Sequence, residues 1–226
     1  MGILAIVFSL LVVLTLLSIR LYVKEGDKEV FWDTEARDWE EAIQLDTDEM
    51  DRMSKVIPLF GLREGETVLD AGCGTGTLIP FLLKEVGRGG CVYGLDLSQE
   101  MLQVARQKHY DGDVSFLKAD VANIPLPSES IDRVICFRTF ADIDDKRGAL
   151  RQYFRVLRPG GIVVICNLLG SKEHDELSKA VGGVIANDTS PGVKEMERFF
   201  LESNFTPLEL LDSDTLYMMK ARKPPR

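Results

Sequence analysis

A glycine-rich turn is the part of the sequence whose residue types and spacing could do chemistry. Gly72, Gly74 and Gly76 follow directly on an apolar run that ends at Asp70, and a helical pattern comes next. Glycines adopt backbone conformations that other residues rarely adopt, and they let a ligand approach the main chain closely. Such a turn before a helix N-terminus is typical of sites that bind nucleotide-like cofactors.

Asp96 is the second chemical element of the same region. It ends the apolar run Val92–Leu95 and lies twenty residues after Gly76. At that distance, a carboxylate at the end of the neighbouring strand can accept hydrogen bonds from both hydroxyls of a ribose. The order strand, glycine turn, helix, strand and carboxylate therefore predicts a βαβ unit that holds a nucleoside.

The glycine spacing also separates two classes of cofactor. Dinucleotide-binding proteins carry G-x-G-x-x-G, in which the third glycine falls one residue later than Gly76 does here. The early third glycine favours a cofactor without a pyrophosphate. A nicotinamide-dependent oxidoreductase stays as an alternative, and so does a membrane-tethered module that binds a cofactor without catalysis.

At this point the sequence resembles a known family. The run Val68–Gly76 is similar to the first motif of the class I S-adenosylmethionine-dependent methyltransferases, and Gly94–Ser98 is similar to their second motif. The resemblance extends over roughly residues 61–168 and implies a methyltransferase whose cofactor is S-adenosylmethionine. Cofactor contacts are then expected from Asp70, Gly72, Cys73, Gly74, Gly76, Asp96, Leu97, Met101, Asp120, Val121 and Phe137.

The methyl acceptor is expected near the segments that follow the fourth and fifth strands, because ligands of this fold bind outside the carboxyl ends of the strands. Arg138 could pair with a substrate carboxylate or with a neighbouring aspartate. Asp142 could contact the substrate or cap a helix. His174, in a charged loop after the fifth strand, could act as a base near neutral pH or be an exposed loop histidine. The catalytic base is left unassigned.

The membrane anchor predicted below is the best indication of the acceptor's class, because it would hold the site close to membrane-dissolved molecules. A second, narrower resemblance also bears on the acceptor. Arg155–Gly161 is similar to the corresponding turn of quinone-biosynthesis C-methyltransferases, although their next strand ends in a Glu-x-Ser pattern where this chain has Cys166-Asn167-Leu168. We expect a small, hydrophobic or membrane-associated acceptor. A quinone precursor, a lipid and a thiol are the candidates.

The N-terminal residues predict a membrane anchor. Gly2–Ile19 carries no charge and would span roughly 27 Å as a helix, close to the thickness of a bilayer core. We predict a transmembrane helix within residues 1–23. The basic residues Arg20, Lys24 and Lys28 follow this span, so the positive-inside rule places the catalytic domain on the cytoplasmic side of a single-pass protein.

The remaining composition predicts one globular domain. The chain has 226 residues, 45% of them hydrophobic, and a net charge of -9, which disfavours nucleic acid as a partner. Its four cysteines form no C-x-x-C pair, so we expect neither disulfides nor a metal site. Residues 24–60 are predicted to be a linker and N-terminal helical region. Trp32 and Trp39 in it either pack on the domain or the membrane interface, or form a lid.

The expected fold is α/β. By resemblance, residues 61–226 form a Rossmann-like, doubly wound, seven-stranded and mostly parallel sheet with flanking helices and one late antiparallel strand. The apolar runs that predict its strands are 67–70, 92–95, 114–120, 131–136, 162–166, 208–211 and 216–219.

Overall fold

The structure is a computed structural model that describes residues 28–45 and 47–226. The predicted membrane span, residues 1–23, lies outside the described residues. Among the helices of the described ranges, none combines the length and the apolar character needed to cross a bilayer.

One seven-stranded sheet forms the centre of the molecule, with the strand order β3-β2-β1-β4-β5-β7-β6. Only β7 runs antiparallel to its neighbours, so the predicted doubly wound sheet with one late antiparallel strand is confirmed. The winding reverses between β1 and β4. The strands are β1 (Thr67–Ala71), β2 (Cys91–Asp96), β3 (Asp113–Lys118), β4 (Ile131–Phe137), β5 (Leu157–Asn167), β6 (Thr206–Ser213) and β7 (Leu216–Arg222).

The central strands are continuous apolar runs because both faces of the sheet are covered. In β1, Leu69 and Ala71 belong to the core on one face, whereas Val68 belongs to the core on the other. This alternation follows from the two-residue period of a strand. It leaves Asp70 as a buried acidic side chain within an apolar strand.

Seven helices are present in the described ranges. They are α1 (Lys28–Leu45), α2 (Thr47–Val56), α3 (Ile79–Val86), α4 (Gln99–Gln107), α5 (Lys146–Val156), α6 (Ser171–Val181) and α7 (Val193–Glu202). Side chains of α2, α3 and α4 join the core on one face of the sheet, and side chains of α5 and α7 join the core on the other. As predicted, Ser98 caps α4, its hydroxyl accepting from the Met101 amide at 3.1 Å.

Two segments differ from the prediction. Residues 28–45, predicted as part of a linker and N-terminal helical region, form one continuous helix, α1, and the segment after β5, predicted as a charged loop, is α6. In both helices charged residues dominate the sequence, so the few buried positions give a weak periodic signal. Phe31, Ala36 and Ile43 are the buried apolar positions of α1, and tertiary packing rather than local pattern decides this helix.

Candidate active site

The glycine turn lies at the carboxyl end of β1, between β1 and α3. Gly74 has a φ of +52°, in the left-handed region that favours glycine. A Cβ built on it would have only the Met101 sulfur within 4 Å, at 3.9 Å. The space in front of Gly74 is part of a cavity of about 200 Å³, more than ten times the roughly 10–15 Å³ that one water needs.

The backbone amides of this turn are used within the protein. Gly72 and Cys73 both donate to the Leu95 carbonyl, at 2.7 and 2.9 Å, and Gly74 donates to Asp96 Oδ2 at 2.8 Å. These three donors are therefore not directed at a ligand. A pyrophosphate would require free amides here, so the geometry favours a cofactor whose bound part carries no phosphate.

Asp96 has the position that the sequence predicts. Its Oδ1 accepts from the Ser98 amide at 2.9 Å and its Oδ2 accepts from Gly74, which fixes the carboxylate at the end of β2, facing the cavity. Burial raises its pKa, and the hydrogen bonds from Ser98 and Gly74 oppose that shift. Each carboxylate oxygen retains a second lone pair, so Asp96 can still accept hydrogen bonds from ribose hydroxyls.

Asp70 lines the same cavity, and one oxygen of its carboxyl group lacks a hydrogen-bond partner within the part of the chain that the structure describes. Its side chain is buried, it lines the cavity, and its Oδ2 has no hydrogen-bond partner among the described residues. Burial, together with the nearby Asp96 carboxylate, raises its pKa to about 8. A buried, unpartnered acid next to a second one is suited to a cationic ligand.

The expected cofactor fits these two acids. S-adenosylmethionine carries an ammonium and a sulfonium, which would compensate the charge of Asp70 and Asp96, and ribose hydroxyls for which Asp96 is an acceptor. It has no phosphate, which agrees with the engaged amides of the turn. Asp70 and Asp96 are therefore the residues that would hold the polar parts of this cofactor, and Gly74 leaves the room for it.

Most of the other predicted cofactor residues are brought to the same cavity. It is lined by Gly72, Cys73, Leu97, Met101, Asp120, Val121 and Phe137. Gly76 does not line it. A Cβ on Gly76 would lie 2.4 Å from the Tyr110 hydroxyl and 3.2 Å from the Ala105 Cβ, so this glycine allows the turn to pack closely against the end of α4 rather than serving the ligand.

Cofactor affinity is expected to rise with pH. Asp70 is mostly protonated below its pKa of about 8, and a bound cation favours the ionised form, so binding releases a proton. Between about pH 6 and 7.5, where the amino group of the cofactor stays charged, affinity should increase up to roughly tenfold per pH unit. Calorimetric titration with S-adenosylmethionine in two buffers of different ionisation enthalpy measures the released proton. Asp70→Asn should remove the release; a pH-independent affinity of the unaltered protein would contradict the assignment.

Helix α1 covers the cavity, and both tryptophans of the chain are part of this cover. Trp32 and Trp39 line the cavity, and their rings meet edge to face with centroids 5.7 Å apart. This position agrees with the predicted packing of the tryptophans on the domain, and their role as a lid stays a prediction. Lys28 and Ile43 of the same helix also line the cavity, and sequence reasoning did not single them out.

Polar contacts tie α1 to the domain at both ends of the cavity. Near its start, Asp33 Oδ1 accepts from the Ser98 hydroxyl at 2.5 Å and from the Glu100 amide at 3.1 Å. Towards its end, Glu40 forms an ion pair with Lys108 at 2.7 Å. These contacts hold α1 against α4, so the cover belongs to the site rather than to a separate linker.

Arg138 directly follows β4 and lines the cavity. Its φ of +58° is unusual for a residue with a side chain, and its amide donates to the Cys166 carbonyl at 2.7 Å. The guanidinium forms an ion pair with Glu49 and lies over the Trp39 ring, 4.9 Å from its centroid. The predicted neighbouring acid is thus a glutamate from α2, and Arg138 joins β4, α1 and α2.

Asp142 and His174, the other two residues predicted to lie near the methyl acceptor, occupy different places. Asp142 ends a short 3₁₀ turn, Phe140–Asp142, and lines the cavity. His174 is not among the residues that line it. This histidine lies in the first turn of α6 and is largely buried, so the predicted loop position and the predicted exposure are wrong, whereas its role as a base stays a prediction. Burial lowers its pKa.

Comparisons with known proteins agree with this geometry. A family model described as a methyltransferase domain matches residues 62–201. The chain is 35% identical over 161 residues to the ubiquinone/menaquinone biosynthesis C-methyltransferase UbiE of Pseudomonas fluorescens, which covers 65% of this chain and 61% of that protein. It is 31% identical over 150 residues to the protein of the same name from Pseudoalteromonas translucida, covering 60% of this chain and 59% of that one. The chain thus matches about three fifths of the length of these relatives.

Solved structures share the fold. A SAM-dependent methyltransferase from Aquifex aeolicus superposes with a TM-score of 0.64 at 27% identity, covering 76% of this chain and 89% of that one. A chain of the complex between the Haloferax volcanii Trm112 methyltransferase activator and a methyltransferase gives a TM-score of 0.70 at 22% identity, covering 89% and 99%. The second similarity concerns the fold alone.

Proposed function

Because the chain belongs to the methyltransferase-domain family and is a methyltransferase that uses S-adenosylmethionine, we propose that it methylates a hydrophobic, hydroxyl-bearing aromatic acceptor of the quinone-precursor class. The observation that carries this proposal is the continuity of the cavity. The two acids of the cofactor end, Asp70 and Asp96, and the two tryptophans of α1 line one space. The UbiE relatives, named for methylation in quinone biosynthesis, support the same acceptor class.

The walls away from the glycine turn suit a flat apolar ring. Trp32 and Trp39 provide aromatic faces, and Ile43, Met53 and Phe137 provide apolar contacts. Aromatic rings stack on such faces with a favourable free energy of roughly 0.5–1.5 kcal/mol beyond the burial of their area. A polar side remains at Arg138 and Asp142, which can orient a hydroxyl group.

The protein contributes positioning and exclusion of water. When bound, S-adenosylmethionine supplies a methyl group on a positively charged sulfur, which is already activated toward a nucleophile. Asp70 and Asp96 orient the cofactor at their end of the cavity. Helix α1 with its tryptophans covers the acceptor and keeps solvent away. Alignment of two bound reactants in this way is a major source of rate acceleration.

The predicted anchor supports an acceptor that is dissolved in a membrane. Lys28 lines the cavity, and it lies five positions after Val23, where the predicted span ends, with four residues between them. Five residues extend over at most about 18 Å, so a helix anchored at residue 23 keeps the cavity within a short distance of the lipid headgroups. Holding the cavity there raises the effective concentration of a membrane-dissolved acceptor.

Methyl transfer into vesicles tests the proposed acceptor. The full-length protein is incubated with vesicles that contain naphthohydroquinone and with methyl-labelled S-adenosylmethionine, and the lipid extract is examined by mass spectrometry. A methylated naphthohydroquinone is the expected product. Label that appears only in a phospholipid headgroup, or only in an added thiol, would contradict the proposal and show that the acceptor is a lipid or a thiol.

Removal of residues 1–23 should separate membrane attachment from cofactor binding. The shortened protein lacks the predicted anchor but retains every residue that lines the cavity. We expect it to leave the membrane fraction on sedimentation and to bind S-adenosylmethionine as the full chain does, measured by calorimetry. Methylation of vesicle-borne naphthohydroquinone should fall, while methylation in detergent should not. A shortened protein that stays with the membrane would contradict the anchor.

A further inference from the structure

A short turn beside the cavity is held by two lysines. The Lys146 ammonium donates to the carbonyls of Ala141 and Ile143 at 2.7 and 2.8 Å, and the Lys28 ammonium donates to the carbonyl of Asp142 between them. Three consecutive carbonyls are thereby fixed by cations from α1 and α5. The residue in the middle of the turn, Asp142, has its main chain locked and its side chain at the cavity wall.

The cations near the Asp142 carboxyl are engaged elsewhere. Lys28 forms ion pairs with Asp188 at 2.6 Å and with Asp144 at 2.8 Å, and Arg138 is paired with Glu49. Within residues 28–45 and 47–226, no ion pair involves the Asp142 carboxyl. The carboxyl therefore lies among lysines and carboxylates of neighbouring segments without a direct ion-pair partner of its own in these ranges, which is the setting of an acid that exchanges a proton.

We infer that Asp142 is the proton acceptor for the hydroxyl group of the methyl acceptor. This inference rests on the proposed function and deepens it. The O–H bond of the acceptor breaks, its electron pair stays on the oxygen and is delocalised into the ring, and the proton moves to a carboxylate oxygen of Asp142. The negatively charged ring is the nucleophile that a neutral phenol is not. A ring carbon then forms a bond to the methyl carbon while the carbon–sulfur bond breaks and leaves its electron pair on sulfur. Loss of the ring proton to water restores aromaticity, and Asp142 returns its proton to the oxygen.

The charges around Asp142 come from four elements of the fold. Burial, the largest cause, and the Asp188 carboxylate raise its pKa, whereas Lys28, Lys146 and Arg138 lower it, and together they bring it to about 7. At that value the ionised and protonated forms are both populated near neutral pH, so the carboxyl can take up a proton and give it back. Removal of a neighbouring positive charge should therefore raise the pKa of Asp142, and removal of a neighbouring negative charge should lower it.

The first measurement follows the rate of naphthohydroquinone methylation against pH in detergent. Asp142→Asn should lower kcat by roughly 10²–10⁴-fold, with little change in KM. It should also abolish the fall in rate below about pH 7, which is the acid limb of the pH profile. Lys28→Met should move that limb to higher pH and Asp188→Asn to lower pH. The matched control is Asp144→Asn, which removes an 84% exposed carboxylate of the same loop and should keep a limb near pH 7.

The second measurement does not depend on turnover. The carboxyl carbon resonance of Asp142 in the NMR spectrum is identified by its absence in Asp142→Asn. In the unaltered protein it should titrate with a midpoint near pH 7. The midpoint should be higher in Lys28→Met and lower in Asp188→Asn. Tryptophan fluorescence should show that Asp142→Asn still binds the cofactor, since both tryptophans line the cavity.

The outcomes separate this inference from the proposed function. An Asp142→Asn protein that methylates naphthohydroquinone at the unaltered rate, or an Asp142 carboxyl already ionised well below pH 6, would overturn the inference and leave the proposed function intact. Failure of the unaltered protein to methylate any hydroxyarene would overturn both.

Discussion

Replacement of Gly74 by valine is expected to abolish cofactor binding while the fold is retained. The Gly74 Cβ would point into the cavity, where only the Met101 sulfur lies within 4 Å, so the valine side chain occupies space that the cofactor needs. We expect a loss of at least ~100-fold in affinity, or about 2.7 kcal/mol, measured by calorimetric titration with S-adenosylmethionine.

Gly61→Val is the matched control for this substitution. Gly61 also has a positive φ, +67°, but a Cβ there would meet nothing within 4 Å, and it does not line the cavity. Both variants carry the backbone strain of a branched residue in the left-handed region, so their thermal stabilities should fall by similar amounts. Only Gly74→Val should lose the cofactor. Equal affinities in the two variants would show that the glycine turn does not hold it.

Replacement of Asp96 by alanine has the second-largest expected effect on cofactor affinity. The substitution removes a charged acceptor for the ribose hydroxyls and also the hydrogen bonds from Gly74 and Ser98 that fix the turn against β2. We expect cofactor affinity to fall by ~1–3 kcal/mol, or roughly 5- to 150-fold. Calorimetry at pH 7 provides the measurement.

Asp96→Asn distinguishes the two contributions. An asparagine oxygen can keep one of the backbone hydrogen bonds but carries no charge, so its effect should be smaller than that of alanine if the turn geometry matters. An affinity unchanged in Asp96→Ala would remove this residue from the cofactor site.

The cofactor half of the site could be predicted from the sequence because its residues are local. Asp70, Gly74 and Asp96 stand at the ends of adjacent strands, and buried strands are apolar runs that can be located within one or two residues. The spacing of the glycines relative to these runs determines which side chains meet at the edge of the sheet. Of the residues predicted to contact the cofactor, Gly76 is the one that does not line the cavity, and its Cα packs against the end of α4.

The acceptor half could not be predicted in the same way. Trp32, Trp39 and Lys28 belong to a helix whose position depends on contacts with residues far along the chain, such as Ser98 and Asp188. The sequence indicated a lid as one of several roles for the tryptophans, but no local pattern brings them over the glycine turn. The loop position predicted for His174 was wrong for a different reason: the mostly polar sequence of α6 gave no sign that this segment would form a helix and bury the side chain.

The most direct test of the central claim, that the glycine turn and the cover formed by α1 enclose one cofactor site, is a crystal structure of the protein with S-adenosylhomocysteine. Electron density for the ribose within hydrogen-bonding distance of Asp96, with the amino acid part next to Asp70 and the sulfur facing the space below Trp39, is the predicted result. Density for the ligand at any other place on the protein, with this cavity filled only by solvent, would contradict it.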